Sequence, residues 1–155
     1  AFLATWVIAY GAVQVFAPQI TSSFQRRHPI SQLVNWGLLL AITPTLIATA
    51  LSAKLDPTLV IILGLLIFGF IFAINSALHS YLIVNQARAE GVSLDVGFYY
   101  MANAGGRLIG TLLSGLVFQT FGLITCLWVS ALFLFITAGI SIMTPARDIS
   151  EMDSG

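Results

Sequence analysis

The sequence predicts an all-α integral membrane protein, and its composition and its apolar segments lead independently to that fold class. Charged residues make up 8% of the 155 residues and hydrophobic residues 58%, with a mean hydropathy of +0.97. Soluble domains carry roughly 25% charged residues, so a surface with this few charges would not be solvated. Five apolar segments each approach the roughly 20 residues that a helix needs to cross the hydrocarbon core. We therefore expect five transmembrane helices.

The first two transmembrane helices are expected at about residues 1–17 and 33–53. Pro18 is expected to end the first, because a proline has no N–H to continue the helical hydrogen-bond ladder. Pro44 lies inside the second and predicts a kink or a break there. The chain begins within an apolar run and without an initiator Met. We therefore expect it to be the C-terminal part of a longer protein whose preceding helices are missing.

The remaining transmembrane helices are expected at about residues 57–84, 96–121 and 123–143. Asp56 is a favourable N-cap for the third helix, and Pro57 suits its first turn. Little more than Gly122 separates the fourth helix from the fifth, which Pro145 is expected to stop. Residues 1–145 thus form one transmembrane domain, and the polar residues 146–155 form a tail.

The arginines outside the apolar segments predict the orientation of the chain. Arg26, Arg27, Arg88 and Arg147 fall on one side of the membrane, whereas only Lys54 falls on the other. Cytoplasmic loops carry the excess of Lys and Arg. The C-terminal tail is therefore expected in the cytoplasm.

Several classes of function lack support in the sequence. The net charge is zero and no basic run is present, so nucleic-acid binding is not expected. The sequence shows no nucleophile–base pair, metal-ligand cluster or phosphate loop. We therefore expect neither an enzyme nor a bound metal or cofactor.

Arg107 lies near the centre of the fourth segment and is its one charged side chain. An arginine at the middle of a spanning helix costs about 2.5–3.5 kcal/mol, so it normally faces a water-filled cavity or a partner. We interpret the segment as one that moves or holds an anion inside the membrane. Two other interpretations remain open: Arg107 bonds to helix ends, or it pairs with an acid elsewhere in a longer chain.

A polar stripe leads to Arg107 from the cytoplasmic end of the fourth segment. Asp95, Tyr99, Asn103 and Arg107 follow one another at intervals of four residues, with Tyr100 beside them. Residues at this spacing share one helix face. Asp95 is interpreted as a cap rather than a ligand, and the tyrosines also suit an interfacial aromatic belt.

The third segment carries a second polar set, in which Asn75 and His79 are four residues apart. Because both sets fall in the cytoplasmic halves of their helices, we expect them to meet across one cavity. Arg107 offers a planar fork of donors for an oxyanion, and His79 a second donor or a titratable charge. The alternative for His79 is a plain interhelical hydrogen bond. The predicted substrate-binding residues are Arg107, His79, Asn75, Asn103, Tyr99 and Tyr100.

Small residues recur every four positions in the fourth segment, at Gly106, Gly110 and Ser114. This spacing lets two helix backbones approach closely in lipid. We interpret it as ordinary helix packing within one subunit, with dimerisation as the alternative.

The order of these segments resembles the C-terminal half of major facilitator superfamily transporters, whose helices eight to twelve would be the five segments. Two blocks, FAINSALHSYLIV (72–84) and GVSLDVGFYYMANAGGRLIGTLLSGLVFQTFG (91–122), resemble the ArsJ-type organoarsenical efflux permeases. That resemblance implies a bacterial inner-membrane protein that exports 1-arseno-3-phosphoglycerate and so confers arsenate resistance. It also implies a functional partner, a glyceraldehyde-3-phosphate dehydrogenase that makes this substrate, with no direct contact between the two proteins.

Two other functions remain open at this point. The first keeps the superfamily and changes the substrate to another phosphorylated metabolite or a drug. The second is a membrane scaffold that transports nothing. If the chain exports an anion, the membrane potential already drives it outward by roughly 2.3 kcal/mol per charge at 100 mV. A uniport-like mechanism is therefore sufficient, with His79 as the in-span candidate for proton coupling.

Overall fold

The computed structural model describes residues 2–25, 29–86 and 92–143. Four helices cover almost all of them: α1 (Phe2–Gln25), α2 (Pro29–Ser52), α3 (Pro57–Gln86) and α4 (Val92–Met143). The described part of the chain contains no strand, so the all-α prediction is confirmed. The loop arginines and the tail on which the predicted orientation rests lie outside the described residues.

Three helices are long and apolar enough to cross a membrane, over Ser31–Ser52, Pro57–Ser80 and Val96–Met143. A shorter apolar stretch, Ala4–Phe16, lies in α1. The structure therefore fits an all-α membrane protein with three such helices, where the sequence predicts five segments. The difference arises because the first segment is short and because α4 contains both the fourth and the fifth.

The helix α4 is interrupted once, at Gly122, where φ is 82° and ψ is 179°. Across this break the Cys126 thiol lies 3.7 Å from the Ser114 carbonyl oxygen. Twelve residues of straight helix would separate these positions by about 18 Å. The chain therefore folds back at Gly122, and α4 consists of an N-terminal arm (92–121) and a C-terminal arm (123–143). A residue with a side chain rarely adopts this backbone conformation, which explains the glycine.

The helices pack in the order α1, α3, α2, α4, since each is in extensive contact with its neighbours in that order. The α2–α4 contact is close where Gly37 faces Ala138, because a Cβ on Gly37 would lie 3.8 Å from the Ala138 Cβ. At the centre of the bundle, Ile74 and Leu78 of α3 are almost fully buried. The N-terminal arm of α4 is largely exposed by comparison.

The contact between α1 and α3 depends on Gly69. A Cβ there would lie 2.8 Å from the Trp6 ring. The Trp6 indole N–H donates a hydrogen bond of 2.9 Å to the Leu65 carbonyl. Tyr10 stacks on Trp6 and on Phe72, with ring centroids 5.9 Å apart in each pair. Aromatic rings therefore pack α1 against α3, and the absence of a side chain at Gly69 leaves room for the Trp6 ring.

The turn between α2 and α3 confirms the predicted N-cap. Asp56 Oδ1 accepts a hydrogen bond of 2.9 Å from the Leu59 backbone N–H. Lys54 adopts the left-handed conformation with φ 59°, and the Leu55 N–H bonds to the Ala50 carbonyl at 3.3 Å. This is the Schellman arrangement that commonly ends a helix.

The prediction that Pro18 ends the first helix is wrong, since α1 continues to Gln25. Similarly, α2 continues through Pro44 to Ser52 without a break. A proline removes one ladder hydrogen bond, and helices of apolar proteins tolerate this where other groups bond the backbone.

A disulfide tests the fold-back at Gly122. We expect Ser114→Cys to cross-link to the native Cys126 on mild oxidation, because the two positions lie against each other across the bend. The cross-linked chain should migrate faster in non-reducing gels. Thr137→Cys is the matched control, since it lies on the same arm as Cys126, about 16 Å away along a straight helix. Equal cross-linking in both variants would contradict the bend.

Candidate functional site

The first polar cluster lies on α3 within the bundle and contains Asn75. Asn75 is 9% exposed. Its side-chain oxygen Oδ1 is buried and has no hydrogen-bond partner among the described residues. Most buried polar groups are paired, because a buried group without a partner costs about 1–3 kcal/mol. An acceptor left open in this way marks a place where a donor is missing.

His79 lies one helical turn beyond Asn75 and is half-buried. Its Nδ1 lies 3.0 Å from the Asn75 backbone carbonyl oxygen. A carbonyl oxygen only accepts hydrogen bonds, so we assign the proton to Nδ1. When the ring is neutral, Nε2 is then an acceptor, and protonation turns Nε2 into a second donor.

Gln14 of α1 joins this cluster from the neighbouring helix. Its Nε2 lies 3.4 Å from the Ser76 Oγ, a long hydrogen bond between α1 and α3. Sequence reasoning did not single out Gln14. The signal was present, since Gln14 is the one amide side chain in the apolar stretch Ala4–Phe16.

The second polar cluster lies on the N-terminal arm of α4. Arg107, Asn103 and Tyr100 are exposed, and Tyr99 is half-buried. The rings of Tyr99 and Tyr100 meet edge to face with centroids 5.4 Å apart. Tyr99, Asn103 and Arg107 therefore lie at successive turns of one continuous helix, as the spacing predicts.

The hydrogen bonds of Arg107 in the described structure run through its backbone. Its carbonyl oxygen accepts from the Thr111 hydroxyl at 2.7 Å. The described residues provide no hydrogen bond or ion pair to its guanidinium group. The cation therefore stands on an apolar helix with its full set of donors available.

The structure keeps the two polar clusters apart. The helix α3 packs mainly against α1 and α2 and only slightly against α4. Within the described ranges, no hydrogen bond joins the Asn75–His79 pair to Asn103 or Arg107. Their expected meeting across one cavity stays a prediction.

The glycine-rich face of the N-terminal arm is open in the described structure. A Cβ added at any of its four central glycines would meet nothing within 4 Å: Gly105, Gly106, Gly110 and Gly115. The described helices therefore do not use these glycines for close packing. Their predicted role in helix packing remains untested.

The described residues contain no group of three or more His, Cys, Asp and Glu side chains that could hold a metal ion. Cys126 is free and half-buried. The polar side chains of the described helices include amides, hydroxyls, one imidazole and one guanidinium. These groups recognise charged and hydrogen-bonding ligands.

The fold and the two clusters fit an all-α membrane protein that carries separate polar groups on its apolar helices. Comparisons with protein-family models, with curated proteins and with solved structures find no match to the chain.

The open acceptor of Asn75 leads to a prediction about stability. We expect Asn75→Leu to leave the protein as stable as before or to stabilise it by up to about 1 kcal/mol, because an apolar group of similar size replaces an unpaired buried acceptor. Thermal unfolding in detergent measures the change. Asn103→Leu, at an exposed amide, is the control and should have no effect. A loss above about 1 kcal/mol at Asn75 would show that its side chain makes a stabilising bond.

Proposed function

We propose that the chain belongs to a membrane transporter that exports a small organic anion. The observation that carries this proposal is Arg107, which lies in the apolar helix Val96–Met143 with no partner for its guanidinium among the described residues. A cation in such a helix is costly to keep and normally serves an ion or substrate pathway. The geometry of a guanidinium suits carboxylate, phosphate and arsenate, which it binds through two parallel hydrogen bonds.

The distribution of acidic residues supports an anionic ligand. Neither Asp nor Glu occurs in residues 2–25, 29–52, 57–86 or 96–143. The nearest carboxylate along α4 is Asp95, twelve residues from Arg107 and about 18 Å away along the helix. A charge without an internal counter-ion in a low dielectric is stabilised by an anion that enters from outside.

The proposed architecture is the C-terminal half of a twelve-helix major facilitator fold with five spans. Two observations support it. The helical break at Gly122 falls between the fourth and the fifth proposed span. The contact between Ser114 and Cys126 across that break suits two spans joined by a tight turn. With α1, α2 and α3, the two arms of α4 provide five helical elements.

The proposed substrate is 1-arseno-3-phosphoglycerate, with a glyceraldehyde-3-phosphate dehydrogenase as the source of that substrate and the bacterial inner membrane as the location. The resemblance of residues 72–84 and 91–122 to organoarsenical efflux permeases supports this choice. So does the chemistry, since a multiply charged ester requires a cationic group such as Arg107 inside the membrane. The membrane potential drives such an anion outward by roughly 2.3 kcal/mol per charge at 100 mV.

Arsenic efflux from cells tests the substrate. Arsenic-sensitive cells would receive the complete gene with and without the dehydrogenase, and both arsenate resistance and arsenic efflux would be measured. We expect resistance only when both proteins are present. Resistance that does not require the dehydrogenase and is not accompanied by arsenic efflux would contradict the proposed substrate. Normal membrane expression without any resistance would point to another phosphorylated anion.

Substitution of Arg107 tests the anion site itself. We expect Arg107→Gln to reduce efflux at least about tenfold at low substrate, because a charge-assisted hydrogen bond contributes about 1.5–3 kcal/mol. Arg107→Lys keeps the charge and loses the planar fork, so it should also reduce efflux. Lys54→Gln is the control, since Lys54 lies in the turn before α3 and should leave efflux unchanged. Normal efflux with Arg107→Gln would assign Arg107 a structural role.

A further inference from the structure

The polar cluster of α3 differs from the Arg107 site in the nature of its charge. The Arg107 guanidinium is always charged, whereas the His79 imidazole is charged only when it binds a second proton. The hydrogen bond from Nδ1 of His79 to the Asn75 carbonyl leaves Nε2 as the ring atom that changes on protonation. Neutral His79 presents a lone pair at Nε2, which repels an oxyanion. Protonated His79 presents an N–H and a positive charge at the same place without breaking the bond at Nδ1.

The second polar atom of this cluster is the open acceptor of Asn75. Its Oδ1 is buried and lacks a partner among the described residues. It therefore suits a ligand that brings a donor, such as a hydroxyl or the O–H of a partly protonated phosphate or arsenate. Together, protonated His79 and Asn75 match an oxyanion that also carries an O–H group.

The surrounding helices supply little charge to His79. Among titratable side chains, α1 brings Tyr10, α2 brings none, and α3 itself adds Tyr81. The titratable or charged residues of α4 are Asp95, Tyr99, Tyr100, Arg107 and Cys126. Asp95, at the start of α4, is the one carboxylate within the four helices. No ion pair to His79 occurs among the side chains that the structure describes.

We infer that the α3 cluster is a proton-dependent anion site, in which His79 must be protonated at Nε2 for the anion to bind and Asn75 Oδ1 accepts the hydrogen bond of the ligand's O–H. This inference rests on the proposed anion transport. An imidazolium inside the bundle is uncompensated until the anion arrives, so each favours the other. Such coupling is reciprocal: acid strengthens anion binding, and the anion strengthens proton binding.

A consequence for transport follows from this coupling. Where His79 is neutral before the anion arrives, one proton is taken up at Nε2 as the anion binds, so the complex carries one negative charge fewer than the free anion. Binding is strong where His79 is protonated and is lost as the ring gives up its Nε2 proton at higher pH.

Nitrogen NMR of His79 provides the direct test. The sequence contains two histidines, and comparison of the wild-type protein with His28→Gln and His79→Gln in lipid nanodiscs assigns the imidazole signals of His79. We expect the neutral ring to carry its proton on Nδ1. Saturating 3-phosphoglycerate, a stable phosphate ester with a hydroxyl, should raise the ratio of protonated to neutral His79 about tenfold at a fixed pH, as the reciprocal coupling requires. A neutral ring protonated on Nε2 would overturn the inference.

Calorimetric binding of 3-phosphoglycerate at pH 6 and pH 8 separates the two proposals. We expect the gain in affinity from pH 8 to pH 6 to be at least tenfold larger in the wild-type protein than in His79→Gln, since the phosphate of the ligand also titrates at about pH 6 and affects both proteins alike. An equal gain in both proteins would overturn this inference alone. Absence of binding at either pH would overturn the proposed anion transport and this inference with it.

Two variants complete the design. Asp95→Asn should keep the pH dependence, because the anion rather than Asp95 is the counter-charge of His79. Loss of the dependence in that variant would overturn the inference. Asn75→Leu should weaken 3-phosphoglycerate binding at pH 6 several-fold while leaving thermal stability unchanged or higher, a combination that a purely structural Asn75 would not produce.

Discussion

Each polar side chain in an apolar helix of this protein needs a partner within the protein, since hydrocarbon offers none. The hydroxyls meet this constraint locally. Thr43 and Thr45 donate to carbonyls of their own helix at 2.9 and 3.0 Å. Most of the other described threonines and serines of α2 and α4 do the same. Among the described residues, two groups stand out as exceptions: the Asn75 side-chain oxygen, which is buried without a partner, and the Arg107 guanidinium, which is the one cation in the apolar helix Val96–Met143. These exceptions define the candidate sites.

The two exceptions call for opposite kinds of ligand atom, and this bears on the proposed transport. Arg107 offers only donors and a permanent charge, whereas Asn75 offers an open acceptor beside the titratable His79. An anion with both charged oxygens and an O–H group satisfies each of them. Both groups cost free energy in an apolar surrounding unless a ligand or a further part of the protein supplies the missing partner.

The sequence predicted the local features well where neighbouring residues decide them. The N-cap at Asp56 follows from side-chain chemistry within one turn and is confirmed. The division between the fourth and fifth segments at Gly122 matches the backbone break there. The end of α1 was predicted wrongly, because a single proline was expected to outweigh the tendency of an apolar run to remain helical. Gln14 was overlooked, because its importance depends on Ser76, 62 residues further along the chain.

The sequence by itself determined the helical membrane class, the capping of α3 and the placement of Arg107 and His79 on apolar helices. Composition, spacing and capping are properties of nearby residues, so no tertiary contact is needed to read them. Only the tertiary structure decided the packing order α1, α3, α2, α4 and the fold-back at Gly122. It also decided that Asn75 is buried with an open acceptor. The packing order, the fold-back and the burial of Asn75 depend on which helices contact each other. The apolar faces of these helices are similar in composition, so the local sequence does not specify which face packs against which.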